Sequence, residues 1–160
     1  LMRIGHGYDA HVLVSGSGLV LGGVHIESKF SIEAFSDGDL IIHSLIDAIL
    51  GAAGYEDIGS MFPSGDKKYR NISSRELLRE VTKKMNEDSY VVTNLDITFI
   101  GKIPKLKNYV KEIRENIAKD LGIDFDRVNC KATTTDGLGF EGEGKGLSCH
   151  AVVLIEKDQD

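Results

Sequence analysis

Residues 3–13, RIGHGYDAHVL, read as a β-strand that starts almost at the first residue. Alternate residues of a strand share a face, so Asp9 and His11 present a carboxylate and an imidazole side by side. His6 falls on the opposite face and reads as structural. After the turn VSGSG at 14–18, the run LVLGGVHI at 19–26 predicts a hairpin with the first strand. Residues 27–37 read as a connecting loop.

Ser36 and Asp37 carry N-cap chemistry for a helix reaching about Ala53. Its apolar positions Ile42, Leu45, Ile46, Ile49 and Ala53 follow the helical period. Residues 54–72 read as a polar loop. Ser73 and Glu76 have capping-box spacing before a second helix that buries Leu77, Leu78, Val81 and Met85. YVVTNLDITFI at 90–100 is a strand. Pro104 is the expected start of a third helix, with the stripe Val110, Ile113, Ile117 and Leu121 and with Gly122 closing it. RVNCKATTT at 127–135 and LSCHAVVLIEK at 147–157 read as the last two strands. The expected class is α+β, with helices on one face of a mixed sheet in one domain over residues 1–160. A short sheet with apolar residues on both faces is expected to form an oligomer.

With 41% apolar and 28% charged residues, the 160-residue chain can bury a core. Its net charge of -6 disfavours nucleic acid, whose phosphates attract clustered Lys and Arg. Cys130 and Cys149 lie in apolar stretches and read as buried, reduced thiols. No apolar run approaches the roughly 18 residues of a membrane span, and no basic-then-apolar leader is visible, so the expected location is the cytoplasm.

The segment SDGDLIIHSLIDA at 36–48 adds His43 as a third candidate ligand. Helical spacing puts Asp39, His43 and Asp47 on one stripe, opposite the apolar one. Two histidines, one carboxylate and an open fourth position suit a catalytic zinc, with Asp47 placed to hold the second ring nitrogen of His43. Asp-x-His alone is common, and a polar-face histidine without a metal is the alternative. His25 and His150 belong to later strand patterns.

TTTDGLGFEGEGKG at 133–146 supplies the chemistry of a phosphate site. Lys131 and Thr133 share a strand face, and Thr134 and Thr135 follow where the strand ends. Hydroxyls, free backbone N–H groups and one lysine hold a diphosphate, and Asp136 adds a hard oxygen ligand for magnesium. An ordinary strand end with turn residues is the alternative. The loop is not a Walker A motif, because Gly144-Lys145 is followed by Gly146 rather than Ser or Thr. Backbone groups in IGKIPKLK, around Gly101 to Leu106, offer an edge to a nucleotide base.

Several segments, in order and spacing, resemble the 2-C-methyl-D-erythritol 2,4-cyclodiphosphate synthases of the non-mevalonate route of isoprene biosynthesis. They are RIGHGYDAH, Gly22-Gly23, SDGD with HSLIDAILGAAG, DIG with MFP, SSRELLREV, NLDITFI, Pro104-Lys105 and VNCKATTTDGLGFEGEG, spanning Arg3 to about Ile155. The resemblance implies a ferredoxin-like, trimer-forming domain with active sites between adjacent subunits of a homotrimer. It implies Asp9, His11 and His43 as zinc ligands, and Asp136 at a magnesium or manganese ion between the phosphates. It sets Thr134 and Thr135 along the diphosphate, beside the Lys131 and Thr133 already read there, and Gly101, Pro104, Lys105 and Leu106 at the cytidine. Asp57, Ile58 and Gly59 are implied at the methylerythritol, and Ser36, Phe62, Asp66 and Phe140 join the substrate-binding set. The implied activity is that of a phosphorus–oxygen lyase acting on a small cytidyl diphosphate, with neither nucleic acid nor membrane as partner.

This chain departs from that pattern at named positions. Phe35 stands where the family usually has a histidine, which predicts slowed turnover unless another residue substitutes. Asp136 replaces a glutamate, and Ser64 a common aspartate. Glu143 and Lys145 exchange the usual arginine and glutamate, so isoprenoid diphosphates are expected to bind weakly. Metal-dependent hydrolysis of a nucleotide diphosphate and a non-catalytic trimer are the rival readings.

Overall fold

The computed structural model describes residues 1–157. The opening segment forms one long strand, β1 (Met2–Ser15). It does not pair with the segment that follows. β2 (Gly18–Leu21) and β3 (Val24–Glu27) form their own two-stranded hairpin. The turn is made by Gly22 and Gly23, both with left-handed φ, at 58° and 75°. The expected loop at 27–37 contains β4 (Phe30–Ile32), which pairs antiparallel with the end of β1. Ser31 ties these pieces together, its hydroxyl donating to the Gly18 carbonyl at 2.7 Å.

Helix α1 (Leu40–Ala53) follows, then a single turn α2 (Ile58–Met61) and α3 (Ser74–Glu87). β5 (Tyr90–Ile100), α4 (Val110–Leu121), β6 (Val128–Thr133), a single turn α5 (Gly139–Gly142) and β7 (Gly146–Lys157) complete the order. The main sheet runs β4-β1-β7-β5-β6. Among the described residues only the β5–β6 pair, joined through α4, is parallel. The mixed sheet and the helices packed on it match the expected α+β class.

Two expected helix starts shift, and the third keeps its place with a different cap bond. α1 is capped by Asp39 rather than by Ser36 or Asp37: its Oδ1 accepts from the Ile42 N–H at 3.1 Å. Asp37 turns instead to α3 and accepts the Ser74 N–H at 2.8 Å. That satisfies an orphan donor at the helix start, and the Ser73 side chain makes no capping bond. α4 begins six residues after Pro104, which sits in a loop after a cis Ile103–Pro104 bond. Leu106 is buried and its carbonyl accepts from the Tyr109 and Val110 N–H groups, so the chain is anchored before the helix can begin. Gly122 closes α4 in left-handed conformation, as expected.

The core lies between the helices and one sheet face. Leu40, Ile41, Ile42, Leu45, Ile46 and Ile49 of α1 are fully buried. Each contributes on the order of 1.5–3 kcal/mol relative to exposure. Leu77, Leu78, Val81 and Met85 of α3 and Ile113, Ile117 and Leu121 of α4 join them. Cys130 and Cys149 are both buried and free. The opposite sheet face is uncovered and carries Ile4, Tyr8, Val12 and Val152, all exposed. On it His6 Nε2 lies 3.0 Å from His150 Nδ1, and Lys131 pairs with Asp96.

Candidate active site

Two glycines bring the site together. A Cβ on Gly5 would lie 1.9 Å from the Ala48 carbonyl oxygen, and one on Gly7 would lie 1.9 Å from that of Ser44. With hydrogen at both positions, the α1 backbone rests directly on β1. Small residues of α1, Ser44, Ala48 and Ala52, form the contact, and the Ser44 hydroxyl donates to Cys149 Sγ at 3.2 Å. This approach carries His43 to Asp9 and His11, which share the helix-covered face of β1.

The three candidate ligands converge. His11 Nε2 lies 3.0 Å and His43 Nδ1 3.4 Å from Asp9 Oδ2. One ligand atom from each of the three lies within 4.8 Å of the others, the only such group among the described residues. Burial works to raise the Asp9 carboxyl, but bonds to His11 and His43 and their charge hold it down, at about 2. Burial works to lower His43, and the bond and charge of Asp9, with Asp39 and Asp37, lift it above the ordinary histidine value. Two imidazole nitrogens and a carboxylate oxygen gathered this closely fit a divalent cation of the zinc type.

Asp47 does not hold the second nitrogen of His43. Ser74 Oγ lies 2.7 Å and Ser36 Oγ 3.2 Å from Nε2. Asp39 is fully buried away from the cluster, where its carboxylate accepts the N–H groups of Gly22 at 2.8 Å and Gly23 at 2.7 Å. Burial and the neighbouring Asp37 raise its pKa to about 6 against the pull of these donors. It ties the β2–β3 turn to the start of α1.

A cleft opens beside the cluster, lined by His11, His43, Ser36, Phe35, Ile58, Gly59, Phe62 and Ser64. Phe35 thus faces the site. Asp57 and Asp66 spend their side chains on local turns, accepting from the Ser60 and Lys68 N–H groups. A second cleft joins Gly101, Pro104, Lys105 and Leu106 to Thr133 and Thr134. Thr134 Oγ1 donates to Asp136 Oδ1 at 3.1 Å, and Asp136 adopts a left-handed φ of 51°. Thr135 donates to the Leu138 carbonyl. Phe140 borders a third concavity with Ala10, His11 and Lys145. His11 and His43 of the metal-type cluster and the phosphate-type Thr133 and Thr134 therefore line different clefts of one chain.

Ser74 escaped the sequence reading because it lies 31 residues from His43 and reads as an ordinary helix start. Gly5 and Gly7 carried a signal, since glycine inside a strand marks close backbone approach.

The fold and the cluster define an α+β protein with a carboxylate–bis-imidazole centre beside an open cleft. The chain belongs to the YgbB family, which it matches over residues 2–156. A relative from Syntrophotalea carbinolica, 50% identical over 98% of this chain and 96% of its own length, is a 2-C-methyl-D-erythritol 2,4-cyclodiphosphate synthase. One of the same name from Erwinia tasmaniensis is 48% identical over 98% of this chain and 99% of its own. The structure of IspF from Plasmodium falciparum, a CDP complex, superposes with a TM-score of 0.87 at 37% identity, covering 99% of this chain and 97% of that one. The bifunctional IspDF from Campylobacter jejuni gives a TM-score of 0.95 at 40% identity over 99% of this chain, which spans 43% of that longer protein.

Proposed function

We propose that this chain is a phosphorus–oxygen lyase that converts 4-diphosphocytidyl-2-C-methyl-D-erythritol 2-phosphate into 2-C-methyl-D-erythritol 2,4-cyclodiphosphate and CMP. The observation that carries the proposal is the Asp9–His11–His43 cluster opening on the Ile58–Gly59 cleft, in a chain about half identical from end to end to synthases of that name. A substrate 2-phosphate oxygen attacks the β-phosphorus. The new P–O bond closes the ring as the α–β bridging bond breaks, and CMP leaves with that bond's electron pair. The attacking group is already an anion, so no side-chain nucleophile is needed.

The work left to the protein is to fold the substrate back on itself and offset its charge. Asp9, His11 and His43 would hold a divalent cation, zinc in our reading, and Asp136 would hold magnesium or manganese; both ions would supply Lewis-acid charge to the substrate's phosphates. Ile58, Gly59, Phe62 and Ser36 enclose the methylerythritol arm, with Asp57 and Asp66 holding the turns that shape it. Thr133, Thr134 and Thr135 would offer hydroxyls to the diphosphate and Lys131 positive charge, in exchange for the bonds that Thr134, Thr135 and Lys131 make to Asp136, Leu138 and Asp96. Gly101, Pro104, Lys105 and Leu106 receive the cytosine, and Phe140 borders the site.

These clefts are separate on one chain, and one sheet face is uncovered. Both features support a homotrimer of single domains, each 1–160, in which the metal cleft of one subunit completes the nucleotide cleft of the next. We place the enzyme in the cytoplasm; no helix among the described residues is long and apolar enough to cross a membrane. Phosphorus NMR of the zinc- and magnesium-loaded protein with its substrate tests the reaction. Cyclic diphosphate and CMP in equal amounts are expected; CMP with an open-chain product means hydrolysis and overturns the assignment.

A further inference from the structure

Beyond the three candidate ligands lies a chain of hydrogen bonds whose directions are fixed by counting protons. Asp37 Oδ2 accepts the Ser74 N–H at 2.8 Å, and its Oδ1 accepts the Asp39 N–H at 3.1 Å. Both oxygens of this side chain are therefore acceptors. The Ser74 hydroxyl also meets Oδ1, and it has one proton, which goes to Asp37. What Ser74 Oγ then offers His43 Nε2, 2.7 Å away, is a lone pair. Nε2 must be the donor. Ser36 Oγ, 3.2 Å from the same nitrogen, has a lone pair to offer it as well, and itself accepts the Gly38 N–H at 3.4 Å.

We propose that Asp37 and Ser74 are positioning residues that hold a proton on His43 Nε2 and so leave Nδ1, which faces Asp9, as the nitrogen that binds a metal. The inference rests on the reading of Asp9, His11 and His43 as a metal centre. A ligand nitrogen must be free of its proton, and the bond made by the other ring nitrogen selects which one is free. Here the selecting partner is a serine hydroxyl, itself oriented by a carboxylate one step further out. Ser74 is fully buried, so water does not compete for either bond. The arrangement also joins two elements. Asp37 precedes α1 and Ser74 opens α3, so a cation seated at the β1–α1 contact is coupled to how α3 docks. Capping of α3 requires only the Ser74 N–H; the hydroxyl is free for this second task.

Two measurements on the intact protein test the assignment. The first is the two-bond proton–nitrogen spectrum of His43 in metal-free protein at pH 9, where the neutral ring is expected to carry its proton on Nε2. A proton on Nδ1 overturns the proposal, whatever any variant does. The second is zinc affinity by competition with a chromophoric chelator, for the unaltered chain, Ser74→Ala and Asp37→Asn. Loss of an outer partner of this kind weakens metal binding by about 10–100-fold, and that loss is expected in both variants. Folded Ser74→Ala protein that binds zinc as tightly as the unaltered chain also overturns it. If the unaltered chain binds no zinc while His43 is protonated on Nε2, the metal reading fails and the hydrogen-bond assignment stands. Should Ser74→Ala not fold, the His43 spectrum of the unaltered chain decides alone.

Discussion

Asp9 and His43 define the chemistry of the site through opposite displacements. The Asp9 carboxyl is held down from its ordinary 3.8 to about 2, so its contribution to stability is complete above about pH 4 and is lost as pH falls toward 2. His43 is raised above 6.5, so its contribution is present below pH 6.5 and is lost as pH rises through the folded-state value. The pair therefore stabilises the metal-free protein most between about pH 4 and 6.5. Asp9→Asn is expected to cost the metal-free protein about 2 kcal/mol in that window and less at pH 9, as measured by urea unfolding. A cost that does not vary with pH would show that the pair carries no such linkage. Phe35 makes a second prediction at this scale. Its ring lines the cleft and offers phosphate neither a proton nor charge. Phe35→His is expected to raise turnover by about tenfold, equal to about 1.4 kcal/mol and near the lower end for one hydrogen bond to a charged group. Unchanged kcat under saturating substrate would count against a loss at this position.

At the scale of elements, the contact between β1 and α1 is both the centre of the core and the scaffold of the site. Gly7→Ala places a methyl group against the Ser44 carbonyl, a backbone atom that can move only with the helix. The expected result is a loss of at least about 1–3 kcal/mol in denaturant unfolding, together with weaker zinc binding because His43 rides on the same helix. A variant with native stability and native zinc affinity would mean that α1 is not pressed on β1 as described. The two thiols on β6 and β7 report on the same layer. Burial pushes both Cys130 and Cys149 up to about 12, so thiolate is scarce at pH 8. Neither is expected to react quickly with a disulfide reagent in the native protein, and both are expected to react after unfolding in guanidinium.

For the whole molecule, the uncovered sheet face makes the prediction. Ile4 and Val12 are 73% and 68% exposed, a patch of the kind that a partner surface covers. Light scattering is expected to give a trimer, and Val12→Glu is expected to shift it toward monomer with loss of activity. A fully active monomer would sink the inter-subunit assignment. Glu143 and Lys145 form an ion pair 2.8 Å long within one chain. The carboxylate spends the lysine's charge, and weak calorimetric binding of geranyl diphosphate remains the expectation; tight binding would contradict it.

How much of this was legible follows from where each feature is encoded. Local pattern suffices for β5, β6, β7 and the apolar faces of α1, α3 and α4, because strand alternation and helical period depend on near neighbours alone. Asp9 and His11 were legible for the same reason, two residues apart on one strand. His43 was legible as a candidate, and the resemblance of whole segments carried the fold class and the activity. Local pattern misplaced the β1 hairpin, the cap of α1 and the start of α4. It also gave the His43 partner role to Asp47, one helical turn away, when Ser74 of another helix fills it. In these cases a contact across the fold overrides the local preference: the Ser31 bond to Gly18, the Asp37 bond to Ser74, the burial of Leu106 in the core. The sequence by itself determined which residue types are present to bind a cation and a phosphate, and which segments are strand or helix. Only the tertiary structure decided that α1 lies close enough on Gly5 and Gly7 for the ligands to meet, which hydroxyl holds His43, and that the two clefts stand apart on one chain. Packing and proton direction are properties of atoms brought together across the fold, and no local spacing records them.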